Sequence, residues 1–98
     1  MKFGLDDSTI EKIKTLLSSF PEVEEVILYG SRAKGSEKKG SDIDLTFKGT
    51  SLNLQVMNRI RNALHQMNTP YTFDLSIFAN IENQDLIDHI ERVGKKLV

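Results

Sequence analysis

Asp42 and Asp44 flank Ile43 in the run Gly40-Ser41-Asp42-Ile43-Asp44-Leu45, which follows Gly30-Ser31 after a spacer of ten residues, 32 to 41. In an extended strand side chains alternate, so the two carboxylates share one face while Ile43 and Leu45 take the other. Their Cα atoms would stand roughly 6.6 Å apart, at about 3.3 Å of rise per residue. From there two carboxylates can converge on a pair of divalent ions about 3.5–4 Å apart, the spacing of two-metal phosphoryl-transfer sites. Without a cation, adjacent ionised carboxylates only repel. Metal is the simplest reason to pair them. Asp74, in Thr72-Phe73-Asp74-Leu75, adds a third acid on the polar phase of a later alternating stretch. A few carboxylates, completed by water and phosphate oxygens, suit Mg²⁺. The plainer reading is a wet sheet face kept soluble by aspartates. Strands disfavour Asp, however, and three in phase on strand interiors point to function.

Gly30-Ser31 ends one apolar run and precedes a short helical turn. Glycine lets backbone approach a ligand closely, and free N–H groups at a helix start hold phosphate oxygens. The Ser31 hydroxyl offers one more donor, and Arg32 and Lys34 bring positive charge, with Lys38 and Lys39 in the following loop. Alone, these residues would be an ordinary turn with a solvated basic loop. Joined to the Asp-x-Asp strand, they become a candidate triphosphate cradle.

The elements that must position these groups are readable from periodicity. Leu5, Ile10, Ile13, Leu16, Leu17 and Phe20 recur at helical spacing, Ser8 and Glu11 read as a capping box, and Pro21 closes the helix. Val23 and Val26–Tyr29 form a buried strand ending at Gly30. The second strand runs from about Asp42 to Lys48 and breaks at Gly49-Thr50-Ser51. Val56, Ile60, Ala63, Leu64 and Met67 mark a second long helix, ended by Asn68-Thr69-Pro70. In the third strand Tyr71, Phe73, Leu75 and Ile77 face one way, and Thr72, Asp74 and Ser76 the other. A final helix carries Leu86, Ile90, Val93 and Leu97, capped by Asn83 or Asp85. The order is α-β-(α)-β-α-β-α. This predicts an α/β fold with a small mixed β-sheet and helices packed on one face, leaving Asp42, Asp44 and Asp74 on the other. The first two strands are close enough in sequence for an antiparallel pair, whereas the helix between the second and third allows a parallel crossover.

A chain of 98 residues is expected to form one domain, 1–98, and a net charge of −1 gives no global field for direct nucleic-acid binding. Cysteine is absent, excluding disulfides and thiolate metal sites. No apolar run suggests a signal segment or membrane span, so the expected location is cytoplasmic, with no membrane partner. No second His, Cys or paired acid completes a metal motif with His65 or His89, and both are expected to be structural or surface residues.

The joint pattern resembles the nucleotidyltransferase superfamily that includes DNA polymerase beta: Gly-Ser, a spacer, Asp-x-Asp, then a third acid on a later strand. More narrowly, Tyr29-Gly30-Ser31-Arg32-Ala33-Lys34-Gly35 with Ser41-Asp42-Ile43-Asp44-Leu45 is similar to the minimal nucleotidyltransferases (MNT) of bacteria and archaea, as is the ending Ile90-Glu91-Arg92-Val93-Gly94-Lys95-Lys96-Leu97. One departure is Lys34, where the group more often has arginine; the charge is kept and the bidentate fork lost. The resemblance implies that Asp42, Asp44 and Asp74 are catalytic and bind two Mg²⁺ ions, with Asp74 also able to take a hydroxyl proton. It implies that Gly30, Ser31, Arg32 and Lys34 bind the triphosphate of ATP. It also implies a partner: a HEPN-domain protein encoded nearby, a toxin onto which the enzyme transfers AMP as the antitoxin of the pair. The alternative is a non-catalytic antitoxin or binding module that neutralises its partner by occlusion. Homo-oligomerisation stays open at this point.

Overall fold

The computed structural model describes residues 2–38 and 40–98; Lys39, counted above with the basic loop, lies outside the described residues. Helices and strands alternate along the chain as α1 (Asp7–Ser18), β1 (Glu25–Tyr29), α2 (Ser31–Lys34), β2 (Ile43–Lys48), α3 (Leu54–Gln66), β3 (Phe73–Ile77), a 3-10 turn (Phe78–Asn80), α4 (Gln84–Val93) and β4 (Lys95–Lys96). The strands form one four-stranded sheet in the order β3-β2-β1-β4. β1 is antiparallel to β2 and to β4, and β2 is parallel to β3. The parallel pair is joined across α3, as a crossover requires.

Alternation decides which strand residues are buried. Val26 and Leu28 of β1 and Ile43, Leu45 and Phe47 of β2 turn to one face. There they meet Ile10, Ile13 and Leu17 of α1 and Val56, Met57, Ile60 and Leu64 of α3 in a single core. Each large side chain removed from water this way contributes about 1.5–3 kcal/mol. β3 is an edge strand, so its Phe73, Leu75 and Ile77 pack on that core while staying partly open. Among the described residues no helix is long and apolar enough to cross a membrane.

Three local details differ from the sequence reading. The N-cap of α1 is Asp6, whose carboxylate accepts from the Thr9 amide at 3.2 Å, so Ser8 lies inside the first turn and forms no capping box with Glu11. Asp6 sits in the extended region just outside the helix, the conformation an N-cap needs. Secondly, α4 ends at Val93 and Leu97 is not on it. A Cβ on Gly94 would fall 2.3 Å from the Ile90 carbonyl oxygen and 2.6 Å from Ile27 Cγ2. At that glycine the chain leaves the helix, runs antiparallel to β1, and buries Leu97 in the main core, with the Leu97 amide donating to the Val26 carbonyl at 2.7 Å. Thirdly, α1 and α3 cover the apolar face, whereas α4 meets Ile27 and Tyr29, the β1 residues that alternate with Val26 and Leu28. It therefore flanks the polar face.

Candidate active site on the polar sheet face

Strand pairing determines what that face presents. Tyr29 is the register partner of Asp44, and Asp44 is the register partner of Asp74. Partners in register project to the same side, so Tyr29, Asp44 and Asp74 form one row across three strands. Ile27, Thr46 and Ser76 form the next row. Thr46 is fully buried there, and its Oγ1 accepts from Ser76 Oγ at 2.9 Å, which satisfies a polar pair beneath the acids. Adjacent strands stand about 4.8 Å apart, so Asp44 and Asp74 are immediate neighbours. The electrostatics agree. The Asp44 carboxyl is pushed above its ordinary value, first by burial, then by the charges of Asp74 and Asp42, with Arg32 opposing. The Tyr29 phenol is likewise pushed up, chiefly by burial; the Ser76 hydroxyl opposes, and the charges of Asp74 and Asp44 add to the rise.

Asp42 lies exposed just before β2, and its Oδ1 accepts a hydrogen bond from Thr72 Oγ1. With the side chains so arranged, no three acidic or histidine side chains among the described residues gather closely enough to hold an ion. Asp44 and Asp74 are aligned in register, whereas Asp42 is bonded to Thr72. The donor set is oxygen only, which fits Mg²⁺. The charges of Asp74 and Asp42, which add to the burial that lifts Asp44, are the part a cation would relieve.

Gly30 joins the phosphate-side turn to the acids. Its backbone, at φ 79° and ψ −156°, occupies a region essentially confined to glycine, and a Cβ there would fall 2.2 Å from Asp44 Oδ2. Gly30 also leads directly into α2. The amides of Gly30, Ser31, Arg32 and Ala33 have no acceptor within that helix, and no side chain caps its start. One of them is already engaged: the Gly30 amide donates to His89 Nε2 at 3.1 Å. The Ser31, Arg32 and Ala33 amides have no hydrogen-bond acceptor among the described residues. Lys34 is the last residue of α2, exposed and without an ion pair among the described residues.

Arg32 requires a correction. The expectation that its side chain brings charge to the triphosphate does not fit a residue that is 3% exposed. Its Nη1 donates to the Phe3 carbonyl at 2.7 Å, and its Nη2 and Nε donate to the Ser41 carbonyl at 2.8 and 3.2 Å. The guanidinium also stands 5.2 Å from the centre of the Tyr71 ring. A fork enclosed by backbone carbonyls and an aromatic ring is not open to phosphate. Arg32 instead ties the N-terminal turn and the loop delivering Asp42 to the start of α2, and its charge still reaches Asp44.

Two residues at the site carry no signal that the sequence reading used. Tyr29 could have been found, because it immediately precedes Gly30 and an antiparallel pair would align it with Asp44. His89 could not: its contact with Gly30 spans 59 residues, and no motif marks it.

The family model for polymerase beta, nucleotidyltransferase, matches residues 11–98. Among curated proteins, none matches the sequence significantly. Solved structures share the fold at low identity. A toxin–antitoxin with AMP-PNP aligns with a TM-score of 0.71 and 22% identity, over 96% of this chain and 73% of that one. The tri-AMPylated Shewanella oneidensis HEPN toxin in complex with MNT antitoxin aligns with a TM-score of 0.70 and 20% identity, over 96% and 72%. The MntA-HepT toxin–antitoxin aligns with a TM-score of 0.62 and 20% identity, over 95% and 72%.

Proposed function

Because this chain belongs to the polymerase beta nucleotidyltransferase family, we propose that it transfers AMP from ATP to a hydroxyl of a partner protein, a helical HEPN toxin that it thereby silences. The observation carrying this reading is the alignment of Asp44 with Asp74 across the parallel strands, with the Gly30 turn packed on the Asp44 carboxylate. Support for the nucleotide and the partner comes from the similar structures, one of a toxin–antitoxin with AMP-PNP and one of an AMPylated HEPN toxin with its MNT antitoxin.

The chemistry asks mainly for positioning and charge compensation. The Ser31, Arg32 and Ala33 amides and the Ser31 hydroxyl would hold triphosphate oxygens, with Lys34 adding a point charge. Mg²⁺ held by Asp42, Asp44 and Asp74 would supply charge neutralisation and polarise the phosphoryl group. The acceptor oxygen bonds to the α-phosphorus, the bond from that phosphorus to the bridging oxygen of the β-phosphate breaks, and pyrophosphate leaves. Asp74, exposed at the end of the row, would take the hydroxyl proton.

A HEPN protein encoded beside this chain, incubated with it, Mg²⁺ and ATP labelled at the α-phosphate, should acquire label. Asp44→Asn keeps the shape, removes a charged metal ligand and should abolish labelling while leaving association intact. A mutant that labels at the native rate refutes the catalytic assignment. A second reading, neutralisation by occlusion, draws on Asp42, which is engaged by Thr72 and not gathered with the other acids. It prevails if neither wild type nor mutant labels the partner and both neutralise it equally.

A further inference from the structure

The Gly30 amide is the first of the donors that a Gly-Ser turn could offer to a phosphate, and it is taken. It donates at 3.1 Å to Nε2 of His89, which comes from the middle of α4 on the far side of the sequence. The His89 ring also meets the Tyr29 ring edge-on, with centroids 6.2 Å apart and planes at 79°. A half-buried histidine thus touches both residues of the Tyr29-Gly30 corner, one beside Asp44 in the carboxylate row and the other packed onto it. To accept at Nε2 the ring must carry its hydrogen at Nδ1.

We propose that His89 is a positioning residue for nucleotide binding: by holding the Gly30 amide it fixes the turn, so that the Ser31 amide and its successors, not Gly30, face the triphosphate. Gly30 lacks the steric restraint of a Cβ and occupies a conformation few residues reach. Such a turn has many alternatives in the absence of an external contact, and each would rotate the α2 amides away from a common target. α2 spans Ser31–Lys34 alone, so it cannot fix its own direction. The Lys34 amide bond to the Gly30 carbonyl at 3.2 Å closes the turn from within, and His89 anchors it from outside. α4 is itself held by its Asn83 cap and by the tight Gly94 exit against Ile27. The anchor is therefore continuous with the sheet.

This inference rests on the nucleotidyltransferase reading for its consequence but not for its contact, and the two can be tested apart. In the wild-type protein, labelled with nitrogen-15, an N–H···N bond gives a scalar coupling between the Gly30 amide nitrogen and His89 Nε2. That coupling should be observed, and its absence with a rapidly exchanging Gly30 amide overturns the proposal whatever the enzyme does. His89→Ala should accelerate Gly30 amide exchange, and His89→Gln, whose side-chain oxygen can accept at a similar reach, should restore protection. In the transfer assay, His89→Ala should raise the KM for ATP roughly tenfold, about what one lost neutral hydrogen bond amounts to. The kcat should change less, and His89→Gln should recover most of the KM. An unchanged KM in a folded His89→Ala protein with a freely exchanging Gly30 amide would overturn the positioning role. Wild type that transfers no AMP yet shows the coupling leaves the anchor standing and sinks the activity.

Discussion

Replacing Gly30 with alanine tests how far the site depends on one missing Cβ. Two costs can be separated. The backbone at φ 79° and ψ −156° lies where only glycine is comfortable, a strain on the order of 1–3 kcal/mol for another residue. The new Cβ would also lie 2.2 Å from Asp44 Oδ2 and 3.2 Å from Cγ of the same side chain. Since the nearest atom is a carboxylate end that can rotate, the clash should be relieved by Asp44 swinging aside. Gly30→Ala should therefore cost about 1–3 kcal/mol in urea denaturation, nearly all of it from the backbone. In an Asp44→Ala background the cost should be almost the same, with a coupling energy under about 1 kcal/mol. The displaced carboxylate should be visible separately. Away from its half-buried position beside Asp74, Asp44 should titrate closer to an ordinary aspartate, as followed by carboxyl NMR. Unchanged stability together with an unchanged Asp44 titration would refute the account of this turn.

Asp44 carries a second expectation, in stability against pH. Its carboxyl is raised in the folded state by burial and by neighbouring acids, so the folded state favours the protonated form. That stabilisation is full below the unfolded pKa and is lost as pH rises through the folded one. Asp44→Asn should thus be more stable than wild type at pH 7, with the margin narrowing as pH falls into the carboxylate range. Wild type more stable than the mutant at pH 7, without metal, would contradict the like-charge row. Arg32→Lys keeps the charge but cannot reproduce a fork bonded to the Phe3 and Ser41 carbonyls. It should cost more than about 2 kcal/mol in denaturation, whereas Lys34→Ala, on an exposed side chain, should stay within about 0.5 kcal/mol. Equal losses would mean that Arg32 is no structural tie.

What the sequence reveals about this fold follows from how local each determinant is. The phase of Asp44 and Asp74 is a property of two short strands, and period two was sufficient to align them, whereas Asp42 lies just before β2 and is bonded to Thr72. The parallel pairing of β2 and β3 followed from the helix between them, and the antiparallel pair from the short connection before β2. The capping box at Ser8 failed because two acceptors lie within three residues of each other, and only the backbone conformation of Asp6 decides between them. β4 is two residues long, too short for any periodic signal, and is held by pairing with β1 and by the Gly94 turn.

Arg32 and His89 illustrate the limit more sharply. In the sequence Arg32 is a cation next to a phosphate-type turn, and electrostatics alone would send it to the phosphate. Its actual acceptors, the carbonyls of Phe3 and Ser41, carry no side-chain identity, so no residue pattern could announce them. His89 is the converse. Its acceptor nitrogen meets a backbone N–H that every non-proline residue possesses, and the pairing exists only because α4 folds back onto the polar face beside β1. The alignment of Asp44 with Asp74 is therefore legible from the period of the strands. The parts that orient them act through main-chain groups, which take their specificity from tertiary position: the buried fork sets the loop carrying Asp42, and the imidazole sets the turn against Asp44. That division has a mechanical consequence. Substituting an acid removes a ligand and leaves the frame, whereas substituting Arg32 or His89 leaves every ligand in place and loosens the distances between them.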